Sequence, residues 1–185
     1  MTDNLVDAQG ISDFLQRLGR CYRHTGTVYL VGGSSLLLVL AKESTFDIDL
    51  KFEVPPEYHT EFIRCLRQVG RELKVPVEQA SPDQFIPLPN GYQERRQFVG
   101  RFGNLEVFHF DFYSVALSKL HSGNEKDFAD VIRMIRQGVI ELPTLEIQFR
   151  EILPRYENLL SADPESFQRK FVLFREKVNN ASDLT

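Results

Sequence analysis

The sequence of 185 residues has little cysteine, and Cys21 and Cys65 are its only two. Neither belongs to a C-x-x-C pair or another spacing typical of metal ligands. Two isolated thiols favour a reduced, intracellular protein, although the sequence leaves a single disulfide between them open. Long apolar runs are also missing, because the longest, residues 36–41, is far shorter than the roughly 20 residues that span a bilayer. With no recognisable signal peptide, we expect a cytoplasmic protein without a membrane partner.

The chain carries no excess of positive charge, since its net charge is −4 at pH 7. It therefore has no overall field that attracts nucleic acid, and a nucleic-acid substrate would need a local basic patch. The G-x-S-x-G and H-E-x-x-H motifs of serine hydrolases and zinc proteases are absent as well. Apolar residues make up 42% of the sequence, which is ordinary for a globular protein. Length and composition predict one domain, or one domain with a helical appendage.

The most informative stretch covers residues 29–53. It predicts, in chain order, a strand (28–31), a glycine turn (32–35), an apolar helix (36–41) and a second strand (46–52). Asp47 and Asp49 alternate along the second strand, so both carboxylates point to one face while Ile48 and Leu50 point into the core. Carboxylates together with substrate phosphates are the ligands that Mg²⁺ prefers. Backbone N–H groups at a helix start suit phosphate oxygens, so the stretch predicts a site for metal and triphosphate.

The order of these residues resembles the signature of the nucleotidyltransferase superfamily, which is hG[GS] followed by [DE]h[DE]h. Residues 32–34 read G-G-S, and residues 44–50 read S-T-F-D-I-D-L without a gap. The resemblance implies that a nucleoside monophosphate is transferred from an NTP with the help of Mg²⁺ or Mn²⁺. It also implies metal-binding and catalytic roles for Asp47 and Asp49, and nucleotide-binding roles for Gly32, Gly33, Ser34 and Thr45.

A third acid is expected, because two ions about 4 Å apart need two or three carboxylates on a rigid sheet. In minimal members of the superfamily it lies on the next strand, which here is predicted at residues 74–80. Glu78 on that strand is therefore our candidate for a third metal-binding and catalytic residue, although Gln79 stands where an apolar residue is expected. Asp111, between two phenylalanines of a later strand, is the rival, and the sequence leaves the choice open.

A second motif, S-K-L-x-x-G-x-x-K-D-x-x-D, covers residues 118–130. It resembles the K-L…K-D-x-x-D motif of the branch that includes type IV abortive-infection toxin nucleotidyltransferases and an uncharacterised bacterial group. The resemblance implies that Lys119 contacts the nucleotide phosphate and that Asp127 serves the active site. It also implies the toxin of a toxin–antitoxin pair that acts on tRNA, with a cognate antitoxin as partner, while a protein hydroxyl or a small molecule stays open as the acceptor. The alternative is that acids at a helix start only complement the helix dipole, which contributes about 0.3–1 kcal/mol.

The remaining pattern predicts an α+β fold, with a small mixed sheet flanked by helices. Residues 97–112 read as a hairpin. Residues 1–112 are predicted to form the nucleotidyltransferase-like core, and residues 113–185 a C-terminal helical region packed on it. Asp163 as N-cap, with Pro164 after it, predicts where the last helix begins.

A competing interpretation is a catalytically degenerate member of the fold, which binds a nucleotide or a partner without catalysis. Lys42 favours this interpretation, because relatives often carry an arginine before S-T-x-D. Retention of both acids in S-T-x-D-I-D-L favours catalysis. Arg95 and Arg96 either reach a phosphate or only begin a solvated strand, and His109 is interpreted as a packed core histidine.

Overall fold

The computed structural model describes residues 5–160 and 162–182. Its helices are α1 (Ala8–Cys21), α2 (Gly32–Val39), α3 (His59–Leu73), α4 (Phe112–Ser122), α5 (Glu125–Arg136), α6 (Leu142–Tyr156) and α7 (Pro164–Ser182). Its strands are β1 (Gly26–Leu30), β2 (Ile48–Glu53), β3 (Val77–Gln79), β4 (Gln97–Phe102) and β5 (Leu105–His109). The predicted α+β class is confirmed. Among the described residues, no helix has the length and apolarity that a membrane crossing requires.

The five strands form one mixed sheet in the order β3-β2-β1-β5-β4. Strand β1 pairs antiparallel with β2 and parallel with β5, while β2 pairs parallel with β3. The predicted hairpin is the antiparallel β4–β5 pair. Pro76, which cannot donate a ladder hydrogen bond, directly precedes β3, and β3 is an edge strand as a proline at that position predicts.

The core lies on one face of the sheet, where the strands meet the apolar faces of α1 and α3. Alternate residues of β1 and β2, such as Val28, Leu30, Ile48 and Leu50, are completely buried in it. The predicted alternation along β2 is therefore confirmed, since Asp49 lies between two buried residues and remains only partly buried. This alternation puts the side chain of Asp49 on the face of the sheet opposite to the core.

Several element boundaries differ from the predictions. Helix α2 begins at Gly32 rather than at residue 36, because the helical hydrogen bonds start within the glycine turn, where the Ser35 N–H donates to the Val31 carbonyl. Strand β2 begins at Ile48, so Asp47 precedes it. Asp111 is not a strand residue but the N-cap of α4, where its carboxylate accepts two backbone N–H groups.

The two cysteines form a disulfide, Cys21–Cys65, so the expectation of reduced thiols is wrong for this structure. Cys21 is the last residue of α1, and Cys65 lies on the buried face of α3, where the two helices pack together. Because the two cysteines are separated by 44 residues, the sequence alone does not indicate that they are close together.

The chain divides into two units, each described by itself. The first contains the sheet with α1 to α3, and its later segment is Arg96–Phe110; the second consists of Pro82–Arg95 and the chain from Asp111 onward. Within the second unit, Phe167, Phe171 and Phe174 form a buried stripe along α7. The predicted start of this helix is confirmed, because the Asp163 carboxylate accepts the Ser166 N–H at 2.9 Å.

Candidate metal and nucleotide site

Three carboxylates meet on the sheet of the first unit. Asp49 lies on β2 directly opposite Glu78 of β3 in the parallel register, and Asp47 lies one residue before β2. One carboxylate oxygen from each of these residues lies within 4.8 Å of the others. Asp47 and Asp49 are partly buried, whereas Glu78 is exposed, so the cluster opens to solvent on one side. The structure therefore groups Glu78 with the two aspartates of the D-x-D motif.

The glycine turn packs directly against this cluster. The Gly33 N–H donates to the Asp49 Oδ2 at 3.2 Å. Gly32 has a φ of +49°, and a Cβ at this position would lie 2.7 Å from the same Asp49 oxygen. A Cβ on Gly33 would lie 2.7 Å from the Thr45 Oγ1. A side chain at either glycine would therefore force the Asp49 or the Thr45 side chain to move.

Ser34 connects the turn to the D-x-D segment. Its fully buried hydroxyl donates to the Asp47 carbonyl at 3.3 Å and accepts the Asp49 N–H at 2.9 Å. These two bonds hold the backbone of both aspartates, a positioning role that the sequence did not reveal. Ser34 is not the N-cap of α2, because Val31 occupies that position. Its contact with phosphate stays a prediction.

Thr45 and His109 both lie beside the glycine turn, but they form different hydrogen bonds. Thr45 forms an isolated bridge with Val6, with both N–H to carbonyl distances at 2.8 Å. His109 places its Nδ1 2.8 Å from the Ser35 hydroxyl. Burial lowers the pKa of His109 to about 4, so its ring is neutral at physiological pH. This environment agrees with the interpretation of a packed histidine.

Lys119 and Asp127 lie in the second unit, in a nearly buried charge cluster. The Lys119 Nζ lies 2.6 Å from the Asp127 Oδ1 and 3.0 Å from the Asp130 Oδ2. These three side chains are 13%, 16% and 9% exposed. Burial opposes the charge of Lys119, but the hydrogen bond to Asp127 and the charge of Asp130 outweigh it and raise the lysine pKa. The cluster neutralises Lys119 internally, and its contact with a nucleotide phosphate stays a prediction.

Asp111, the rival third acid, is also in the second unit and is 1% exposed. Its two oxygens accept hydrogen bonds from the Arg95 guanidinium at 2.8 and 3.0 Å. The Ser114 hydroxyl donates a further bond at 2.6 Å. These hydrogen bonds engage both oxygens of the Asp111 carboxylate, which acts as a helix cap and as the ion-pair partner of Arg95. This arrangement supports Glu78 as the third acid.

Arg96 belongs to the first unit and stacks on its sheet. Its guanidinium lies 4.5 Å from the centre of the Phe108 ring. It also donates to the Tyr29 hydroxyl at 3.2 Å, and that hydroxyl donates to Glu53 at 3.1 Å. Arg95 and Arg96 therefore have different partners, although they are adjacent in the sequence.

The fold and the acid cluster together define a class of protein. A glycine turn against a D-x-D strand, with a third acid on the neighbouring strand, offers carboxylate donors of the kind that suit Mg²⁺ or Mn²⁺. A family model described as nucleotidyltransferase of unknown function (DUF6036) matches residues 11–180. The chain belongs to this family, which confirms the superfamily resemblance. No curated protein and no solved structure matches the chain significantly.

We expect Gly32→Ala to weaken metal binding, because the added Cβ displaces the Asp49 carboxylate. Titration calorimetry with Mn²⁺ measures the effect, which we expect to be at least about tenfold in affinity, or about 1.4 kcal/mol. Gly138→Ala is the matched control, since Gly138 also has a positive φ of +69° but no described residue has an atom within 4 Å of its Cβ position. Both variants carry a backbone strain of about 1–2 kcal/mol. Equal Mn²⁺ affinity in the two variants would contradict a role for Gly32 at the site.

Proposed function

We propose that this protein transfers a nucleoside monophosphate from an NTP to a hydroxyl acceptor. Asp47, Asp49 and Glu78 would hold Mg²⁺ or Mn²⁺, and Asp127 would serve the reaction as the motif resemblance implies. The observation that carries the proposal is the meeting of three carboxylates within 4.8 Å on one sheet. The donor set fits hard divalent ions, because it consists of carboxylate oxygens without sulfur or imidazole ligands.

The reaction forms a bond between the acceptor oxygen and the α-phosphorus, and breaks the bond from that phosphorus to the bridging oxygen of pyrophosphate. When bound, the metal neutralises charge that builds on the phosphate oxygens. Gly33 orients the Asp49 carboxylate through its N–H, and Ser34 holds the backbone of both aspartates. In this proposal Gly32, Gly33 and Ser34 at the start of α2 would bind the β- and γ-phosphates. One carboxylate of the cluster would accept the proton of the acceptor hydroxyl.

The acceptor and the biological role rest on resemblance. The motif in residues 118–130 supports an RNA acceptor such as tRNA ahead of a protein hydroxyl, and a role as the toxin of a toxin–antitoxin pair. In this proposal Lys119 contacts a nucleotide phosphate after its ion pairs with Asp127 and Asp130 rearrange.

Label transfer tests this function directly. Purified protein is incubated with each α-labelled NTP, Mg²⁺ and either total tRNA or protein acceptors. We expect transfer by the native chain and at least about 100-fold less by Asp47→Asn or Asp49→Asn, because metal-based charge stabilisation supplies several kcal/mol. Glu57→Gln is the matched control, since it removes an exposed acid of the same unit outside the cluster.

The same samples separate the alternatives. If no label moves, calorimetry with an NTP and Mg²⁺ shows whether the site is used for binding alone. Binding that requires Asp49 would identify a catalytically degenerate nucleotide-binding protein. Transfer that is unchanged in both aspartate variants would contradict the proposed site.

A further inference from the structure

The basic and the acidic residues of α3 lie on different flanks of the helix. Arg64, Arg67 and Arg71 follow one another at spacings of three and four residues, and Lys74 continues the row as the C-cap of the helix. Residues at these spacings share one helix flank, so the four cations form a row about 15 Å long. We name Arg64, Arg67, Arg71 and Lys74 the basic ridge. Both glutamates of α3 lie on the other flank.

The two flanks differ in what they contact. Glu61 and Glu72 face basic groups of the same unit, His24 at 3.4 Å and Arg17 at 3.8 Å. All four ridge residues are exposed. Within residues 5–160 and 162–182, the side chains of the three ridge arginines form no ion pair and no hydrogen bond. The three arginines therefore present positive charge to solvent on a chain whose net charge is −4.

A groove of about 490 Å³ lies beside the ridge. Arg67, Arg71 and Lys74 form its charged side, and Leu66 and Val77 contribute to its apolar floor. A ligand that fits this groove combines regularly spaced negative charges with flat, weakly polar groups.

Single-stranded nucleic acid has this combination, because phosphates alternate with bases and sugars along the strand. Three of the four cations are arginines, whose planar guanidinium binds phosphate through two hydrogen bonds. The ridge cations are separated by about 4.5–6 Å along the helix axis, which allows successive residues to meet successive phosphates. An acidic peptide also matches the charge, and it is the competing ligand in the test below.

The groove and the acid cluster share strand β3. Val77 lines the groove, and the next residue, Glu78, belongs to the acid cluster. Since neighbouring strand residues point to opposite faces, the two sites lie on either side of the same sheet edge. The groove and the acid cluster are thus one residue apart along β3.

We propose that the basic ridge and its groove bind the single-stranded backbone of an RNA acceptor. The identity of the ligand as acceptor rests on the proposed nucleotidyl transfer, whereas the binding itself does not. The ridge arginines are exposed, so their substitution leaves the core untouched, and circular dichroism checks the fold of each variant.

Fluorescence anisotropy with a labelled single-stranded RNA, in the absence of NTP, tests the proposal. The ridge variant, Arg64→Gln/Arg67→Gln/Arg71→Gln, should bind the RNA about 100-fold more weakly at about 0.1 M salt. The slope of log affinity against log salt concentration should be smaller in magnitude by about 2, because three phosphate contacts are lost. Arg150→Gln/Arg155→Gln/Arg169→Gln is the control, since it removes the same charge from exposed arginines of α6 and α7. This control should bind RNA as the native chain does.

The Asp47→Ala/Asp49→Ala variant separates this proposal from the proposed function. This variant should bind RNA normally while transferring no label. If the native chain binds RNA through the ridge but transfers no label, that result would contradict the proposed function alone. If RNA binding is weakened equally in the ridge variant and the control variant, or is not weakened in the ridge variant, the ridge is not an RNA site. Binding of polyglutamate but not RNA through the ridge would overturn it in favour of an acidic protein partner.

Discussion

Replacing Lys119 with methionine should lower the free energy of unfolding by about 3–5 kcal/mol, because it leaves two nearly buried carboxylates without their cation. The Lys119 Nζ contacts Asp127 at 2.6 Å and Asp130 at 3.0 Å. Asn124 donates to the other Asp127 oxygen at 2.6 Å, but an amide does not compensate a full negative charge. Urea denaturation followed by circular dichroism measures the loss.

Two further variants identify the cause of that loss. Lys119→Met/Asp127→Asn/Asp130→Asn removes all three charges and should recover most of the stability. Lys177→Met is the matched control, because its ion pair with Glu125 is exposed and should contribute less than about 1 kcal/mol. If Lys119→Met costs no more than Lys177→Met, the cluster is not a structural element. Loss of label transfer in a Lys119→Met protein that keeps its stability would support the phosphate contact implied by resemblance.

Reducing the disulfide should lower the free energy of unfolding by about 4 kcal/mol. Cys21 and Cys65 are separated by 44 residues, and the chain-entropy model assigns about 4 kcal/mol to a loop of this length because the crosslink restricts the unfolded chain. The crosslink joins the end of α1 to the buried face of α3. Both helices pack on the core side of the sheet, so its reduction weakens the unit that carries the acid cluster.

Urea denaturation with and without dithiothreitol measures this effect. The Cys21→Ser/Cys65→Ser variant should match the reduced native protein and should not respond to dithiothreitol. Thiol titration of the unfolded, unreduced protein provides an independent check. Two titratable thiols in that sample would show that the disulfide does not form.

Local patterns predicted much of the fold. The alternation of Asp47, Ile48, Asp49 and Leu50 indicated which side chains enter the core, because strand geometry has a period of two wherever the strand lies. Helix ends were predictable where a single residue decides them, as with the Asp163 N-cap of α7.

The predictions that failed concerned residues whose hydrogen-bond partners a strand or loop pattern does not specify. Asp111 reads as a strand residue between phenylalanines, yet bonds to Arg95, Tyr113 and Ser114 make it a helix cap. The glycine turn reads as a loop, yet it becomes the first turn of α2, where Gly33 and Ser34 bond to the D-x-D segment. Each outcome depends on which polar partner the folded chain brings near.

The sequence by itself determined the α+β class, the alternation that puts Asp49 on the face opposite to the core, and the glycines near it, because these follow from local periodicity and backbone freedom. Only the tertiary structure decided that Glu78 joins the two aspartates. That outcome requires β3 to pair with β2 in the register that sets Glu78 opposite Asp49. Register depends on how the intervening helix packs on the sheet, which no local pattern specifies.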